Sequence, residues 1–189
     1  MTIFIVGLVV FFAAHLFSGF ARGARASIIS TIGAGPYKGL YSLVSLVGFG
    51  LIIWGWRGAD KTVLYVSNFN FLYIAYALLL FAMIALMAAY MPRGRIAHAL
   101  KHPMLVVVKT WAFAHLLVNG EVRSLILFGS FLAYGVLDRI AVKRRNAPIA
   151  EKGPAINDLW VVIAGVGLWA LFYVWLHKHL IGVEPPRIF

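Results

Sequence analysis

The sequence predicts an all-α integral membrane protein, one domain over residues 1–189 built as a bundle of about six transmembrane helices. Three observations predict it. Hydrophobic residues make up 62% of the chain and charged residues 12%, whereas soluble domains are nearer roughly half and a quarter. The apolar residues are gathered into runs long enough to cross a bilayer. The basic residues, which bring the net charge to +11, fall between those runs. That placement points to membrane topology and contact with anionic lipid, and away from nucleic acid.

Six apolar runs extend roughly over Ile3–Phe20, Leu40–Trp56, Phe69–Met91, Met104–Asn119, Arg123–Ala141 and Leu159–Leu180. Lipid cannot satisfy backbone polar groups, so each run is expected to be helical. No Lys or Arg precedes Ile3, and the first charges, Arg22 and Arg25, follow the run. The first run therefore reads as a span and not as a cleaved secretory signal. Gly33-Ala34-Gly35-Pro36 breaks the chain before the second helix, and Pro92 and Gly94 end the third. Pro103 sits where a first-turn proline opens the fourth helix. The fourth and fifth runs meet at Asn119-Gly120-Glu121 and are expected to form a helical hairpin, and Asn146 to Pro154 is a polar loop.

Eleven Lys and Arg residues occupy the loops after the first, third and fifth helices, five lie on the other side, and Lys109 lies inside a span. The excess places the odd loops in the cytoplasm and both termini outside it. Ala14-His15-Leu16 is echoed by Ala114-His115-Leu116. Three helices per half would make an inverted repeat, but chance is the better account of three matching residues.

The chemistry available is narrow. There is no cysteine, which excludes disulfides, thiolate metal sites and cysteine nucleophiles. The acidic residues Asp60, Asp138, Asp158, Glu121, Glu151 and Glu184 all read as lying outside the deep part of the spans. This argues against a proton relay through buried carboxylates and against a carboxylate-pair hydrolase. No phosphate-binding glycine loop and no serine–histidine–acid arrangement is found. Gly48, Gly50 and Gly55 suit close helix packing.

Ionisable residues within a span are functional by default, and three stand out: His15, Lys109 and His115. His15 shares a helical face with Leu8, Phe11, Phe12 and, two turns on, Arg22. It is either a histidine bonded to a neighbouring helix or a metal or haem ligand. His115 has Trp111, Ala112 and Asn119 on its face, and the small alanines leave room for a close helix or for a flat ligand. Neutral imidazoles are good axial ligands of haem iron. Lys109 either snorkels to the headgroups or meets an anionic group of a ligand. His98 and His102, four apart, could share a helix face as metal ligands do, but at the basic turn with no carboxylate near they read as a solvated or lipid-facing pair; His177 and His179 read as interfacial.

Taken together the chain resembles the NnrU family of membrane proteins over nearly its whole length. The matching pieces are Phe11 to His15, Gly33 to Ser42, Lys101 to Met104, and Trp111 to His115 followed by Asn119-Gly120-Glu121. The resemblance implies a link to nitrite and nitric oxide metabolism in denitrifying bacteria. It also extends to the membrane domain of plant zeta-carotene isomerase, a redox-dependent haem b protein with histidine ligands, and so implies redox-linked isomerisation of an apolar substrate as an activity. By resemblance the ligand positions fall on His15 and His115, with haem b as the cofactor and a membrane redox protein as a partner. Arg22 and Arg25, with Arg93 or Arg95, are then available to the haem propionates. The isomerase motif has a cysteine that exchanges with its second histidine; here that position is Ala112, so a cysteine ligand switch does not carry over. By the expected boundaries, His15 and His115 lie about 5 Å on either side of the midplane. One shared haem therefore needs helix tilt of about 20°, and otherwise one histidine ligates alone. Two alternatives stand beside this reading. One is a non-catalytic assembly factor for a partner such as nitric oxide reductase. The other is an S-adenosylmethionine-dependent membrane methyltransferase, since Lys101-His102-Pro103 resembles the Arg-His-Pro motif of those enzymes.

Overall fold

Lipid offers the backbone no hydrogen bonds, and the chain responds by closing its apolar runs into helices. The computed structural model describes residues 1–186. Eight α-helices are present among them: α1 Thr2–Phe20, α2 Arg22–Ile32, α3 Ala34–Trp56, α4 Phe69–Tyr90, α5 Arg95–Leu100, α6 Pro103–Val118, α7 Val122–Arg144 and α8 Ala155–Leu171. A π-helical stretch, Phe172–Ile181, continues α8. Five helical stretches are long and apolar enough to cross a membrane, and α6 is a shorter apolar helix. The chain is thus an all-α integral membrane protein, with the six apolar segments that hydropathy predicts.

Local chemistry sets the boundaries. The Asn68 side chain accepts a bond from the Asn70 amide and caps α4. Pro103 is the first residue of α6, where a missing amide hydrogen costs nothing. Two expected boundaries are corrected. The chain breaks at Gly33 alone, whose φ of 90° and ψ of 159° suit glycine. Pro36 falls inside the first turn of α3, so that helix starts six residues before Leu40. The segment between the first two spans, expected to be loop, is instead the helix α2.

The described residues form two compact units: residues 1–65 with 120–147, and residues 66–119 with 148–186. Each takes helices from both halves of the sequence, so the units do not follow the echo between the chain halves. The boundary falls at Asn119-Gly120, which assigns α6 and α7 to different units where a single hairpin was expected.

In the first unit α1 packs along α3, and α7 and α2 pack on this pair. The contact is made by small residues. A β-carbon at Gly7 would stand 2.6 Å from the Ile52 amide, at Gly48 2.7 Å from the Phe11 amide, and at Gly55 2.4 Å from the Phe4 amide. Gly50 has open space around it and takes no part, contrary to expectation. Lipid tails are as apolar as the side chains, so this close backbone approach, and not burial of area, drives the association. Apolar residues such as Val9 (62% exposed) and Leu46 (66%) face outward, as lipid requires. At one end, α7 is tied to the chain between α3 and α4. The Leu64 amide bonds the Gly120 carbonyl and the Val122 amide bonds the Thr62 carbonyl.

In the second unit α4 lies against α6 and α8, and Gly165 of α8 admits the backbone of Ile84. The short α5 is held by α8: the Arg95 and Ile96 amides donate to the Asp158 carboxylate at 3.0 and 2.9 Å.

Candidate functional site

His15 lies in α1 of the first unit, half-buried. Its Nδ1 is 2.7 Å from the Phe11 carbonyl oxygen. A carbonyl only accepts, so Nδ1 carries the proton and Nε2 carries the lone pair. That tautomer is the one that binds a metal through Nε2 with a backbone bond orienting the ring. The ring stacks on Phe11 at 4.1 Å between centroids. Tyr41 of α3 and Tyr134 of α7 stand at 5.4 and 5.7 Å.

This surround continues to charged groups. Asp138 lies one turn beyond Tyr134 on the same face of α7. A β-carbon at Gly19 of α1 would meet the Asp138 Oδ1 at 3.4 Å. Asp138 lies beside the His15 helix, six residues before the basic end of α7. Arg25 of α2 sits over the Tyr37 ring at 5.6 Å, and its Nε is buried with no hydrogen-bond partner.

Arg22 is exposed and is the first residue of α2. Because α1 ends at Phe20 and the chain turns at Ala21 (ψ 51°), Arg22 does not continue the His15 face as expected. The half-buried Arg25 is the residue turned back toward α3.

His115 lies in α6 of the second unit, one turn from that helix's end. Its Nδ1 is 2.8 Å from the Trp111 carbonyl, which gives it the same tautomer as His15. Trp111 stands 5.1 Å from the ring between centroids. Ala112 and Ala114 beside it are fully buried, so the small side chains serve close packing. Asn119 donates its side-chain amide to the His115 carbonyl at 2.9 Å and closes the helix end. Lys109 is half-buried on α6.

The remaining histidines make structural bonds. His98 is on α5, which ends at Leu100, and His102 precedes α6, so the two do not share a helix as expected. His98 bonds the Ala150 carbonyl at 2.9 Å. His177 and His179 bond the Val183 and Trp175 carbonyls in the exposed π-helical region. No cluster of three or more His, Cys, Asp or Glu side chains is present among the described residues.

Tyr41, Tyr134 and Asp138 were missed as site residues. Tyr41 stood inside the Gly33 to Ser42 motif, and the four-residue spacing of Tyr134 and Asp138 placed them on one helical face, but nothing in the sequence tied either to His15. In comparisons with known proteins, the family model described as NnrU protein matches residues 3–185, nearly the whole chain. No curated protein and no solved structure matches.

Proposed function

The chain belongs to the NnrU family, and on that premise we propose that it is a haem b-binding protein of the bacterial inner membrane, with both termini outside the cytoplasm, that serves nitrite and nitric oxide metabolism together with a membrane redox partner. His15 and His115 are the ligand positions.

The observation that carries this reading is the tautomer at His15, taken with the unpartnered Nε of Arg25 in the same unit. With Nδ1 held by the Phe11 carbonyl, the imidazole offers Nε2 to iron, and the stack on Phe11 fixes the ring plane. In the same unit Arg25 keeps a buried guanidinium Nε without a partner. Buried donors of that kind are rare, and a carboxylate such as a propionate is their natural acceptor. The residues therefore fit the group. His115 offers the same tautomer in the second unit.

Haem, when bound, supplies one-electron redox chemistry. The chain's own residues orient the imidazoles, neutralise an anionic edge through Arg25, and exclude water with the rings of Phe11, Tyr41 and Tyr134.

The test is the absorbance spectrum of detergent-purified protein, oxidised and dithionite-reduced, beside His15→Ala and His115→Ala. A Soret band with sharp reduced α and β bands is expected, weakened or lost in each variant. A colourless protein after expression with haem precursor would overturn the reading.

A further inference from the structure

Lys101-His102-Pro103 joins α5 to α6, and no part of the proposal above uses it. Lys101 has φ 62° and ψ −55°. Across it the His102 amide donates to the Leu100 carbonyl at 2.7 Å. Together these define the strained one of the two γ-turn forms, centred near φ of about +75° and ψ of about −65°. Glycine takes such a conformation readily and other residues do not. A lysine held there is strained, and strain of this kind persists only where the surroundings over-determine it. Four restraints do so here. The Lys101 amide donates to the His98 carbonyl at 3.1 Å. Pro103 keeps His102 out of the helical region, at φ −130° and ψ 75°. The other two come from residues 148–154, the non-helical strap that leads into α8. The Ala150 amide donates to the Lys101 carbonyl at 3.3 Å, and the Ala150 carbonyl accepts from His98 Nδ1 at 2.9 Å. Further along the strap, the Gly153 amide donates to the Gly94 carbonyl at 3.4 Å, and Glu151 stands 3.8 Å from Arg93. All of these groups belong to the second unit.

We propose that the strap is a spring-loaded latch on the α5–α6 joint: seated, it holds Lys101 in the γ-turn, and released, it lets Lys101 relax. The balance of forces supports this. Both amide bonds of the strap are longer than the usual range for N–H···O bonds. The Arg93–Glu151 pair is exposed on both sides, and pairs of that kind hold little. Only the His98 bond is short. The strain at Lys101 works against these few bonds and is recovered on release. The helices beneath are held otherwise: Gly165 of α8 admits the backbone of Ile84 of α4, and that packing does not depend on the strap. The latch therefore opens locally, ahead of the helices it lies on. A glycine at position 101 would remove the strain and keep the strap shut. The lysine keeps the latch near balance.

The experiment is residue-resolved hydrogen exchange on the full chain in detergent, in the wild type, Lys101→Gly, Lys101→Ala and His98→Ala. Alanine removes the lysine side chain and keeps the strain; glycine removes both. Neither change alters the intrinsic exchange rate of Ala150 or Gly153. In the wild type these two amides are expected to exchange together, and faster than those of the buried Ala82, Ala85 and Ala88 of α4. In Lys101→Gly both are expected to slow about fivefold relative to Lys101→Ala, the low end of what relieved backbone strain gives, because glycine also gains freedom in the released strap. Lys101→Ala is expected to match the wild type. His98→Ala is expected to speed Ala150 several-fold and leave the α4 amides unchanged. Equal rates in the glycine and alanine variants, or faster exchange in glycine, overturn the proposal. So does a wild-type strap that exchanges no faster than α4, or an Ala150 rate that His98→Ala leaves unchanged. If Lys101→Gly does not fold, the wild-type rates and His98→Ala decide. None of these readouts depends on haem, so the result stands apart from the haem reading.

Discussion

Gly48 of α3 lies so close to Phe11 of α1 that a β-carbon on it would stand 2.7 Å from the Phe11 amide nitrogen and 2.9 Å from its Cα. Phe11 is also the residue whose carbonyl holds the His15 ring. The packing of two helices and the orientation of the candidate ligand thus meet at one residue. Gly48→Ala is expected to force α1 and α3 apart and to cost about 1–3 kcal/mol of stability. Thermal unfolding in detergent checks this, with Gly167→Ala as the control, because Gly167 has open space around it. Equal melting points would sink the close-packing account.

Arg123 lies over the Trp56 ring at 4.5 Å and pairs with Glu121 at 2.6 Å, with its side chain only 15% exposed. The planar guanidinium serves both contacts at once, which an ammonium does not. Arg123→Ala is expected to cost about 2 kcal/mol, and Arg123→Lys to recover less than half of it. Melting temperatures of the two variants test the claim. Full recovery by lysine would show that charge alone matters.

Asp158 caps the short α5 from another helix, and Gly94 leaves the space its carboxylate needs, since a β-carbon there would stand 2.1 Å from Oδ1. Asp158→Ala is expected to cost about 1–2 kcal/mol, the value of a lost cap. Faster hydrogen exchange at the Arg95 and Ile96 amides is the specific readout. Gly94→Ala should give the same loss by displacing the carboxylate.

Asp60, in the connection between α3 and α4, is held below the usual carboxylate range by the Thr62 hydroxyl first and the Thr62 amide second. A depressed native value means that the stabilisation is present above the ordinary value of 3.8 and is lost as pH falls through the native one. The exchange protection of the Thr62 amide, which bonds Asp60 at 2.8 Å, relative to the intrinsic rate at each pH, should therefore fall on acidification below pH 4. Asp60→Asn should remove that dependence, and a pH profile equal in both proteins would count against the assignment.

Much of this protein is decided by its sequence alone. Lipid leaves an apolar run of about twenty residues one low-energy choice, so Ile3–Phe20 and Phe69–Met91 could be read as helices to within a residue or two. Pro92 marks the end of α4 and Pro103 the start of α6 by local sterics. His15 and His115 also announce themselves, because an ionisable group is conspicuous in an apolar run.

Tertiary structure decided the rest. A hydropathy profile does not distinguish Gly48, which meets Phe11, from Gly50, which meets nothing. The difference is which side of α3 faces α1. Nor does it reveal that α6 and α7, adjacent in sequence, belong to different units, because pairing of lipid-soluble helices depends on shape complementarity that no single helix carries. The carboxylate of Asp138 looked like the end of a span. Only the packing of α7 on α1 sets it beside Gly19, next to Tyr134 and one turn from His15. Local chemistry names the residues that can act, and the close approach of helices determines which of them act together.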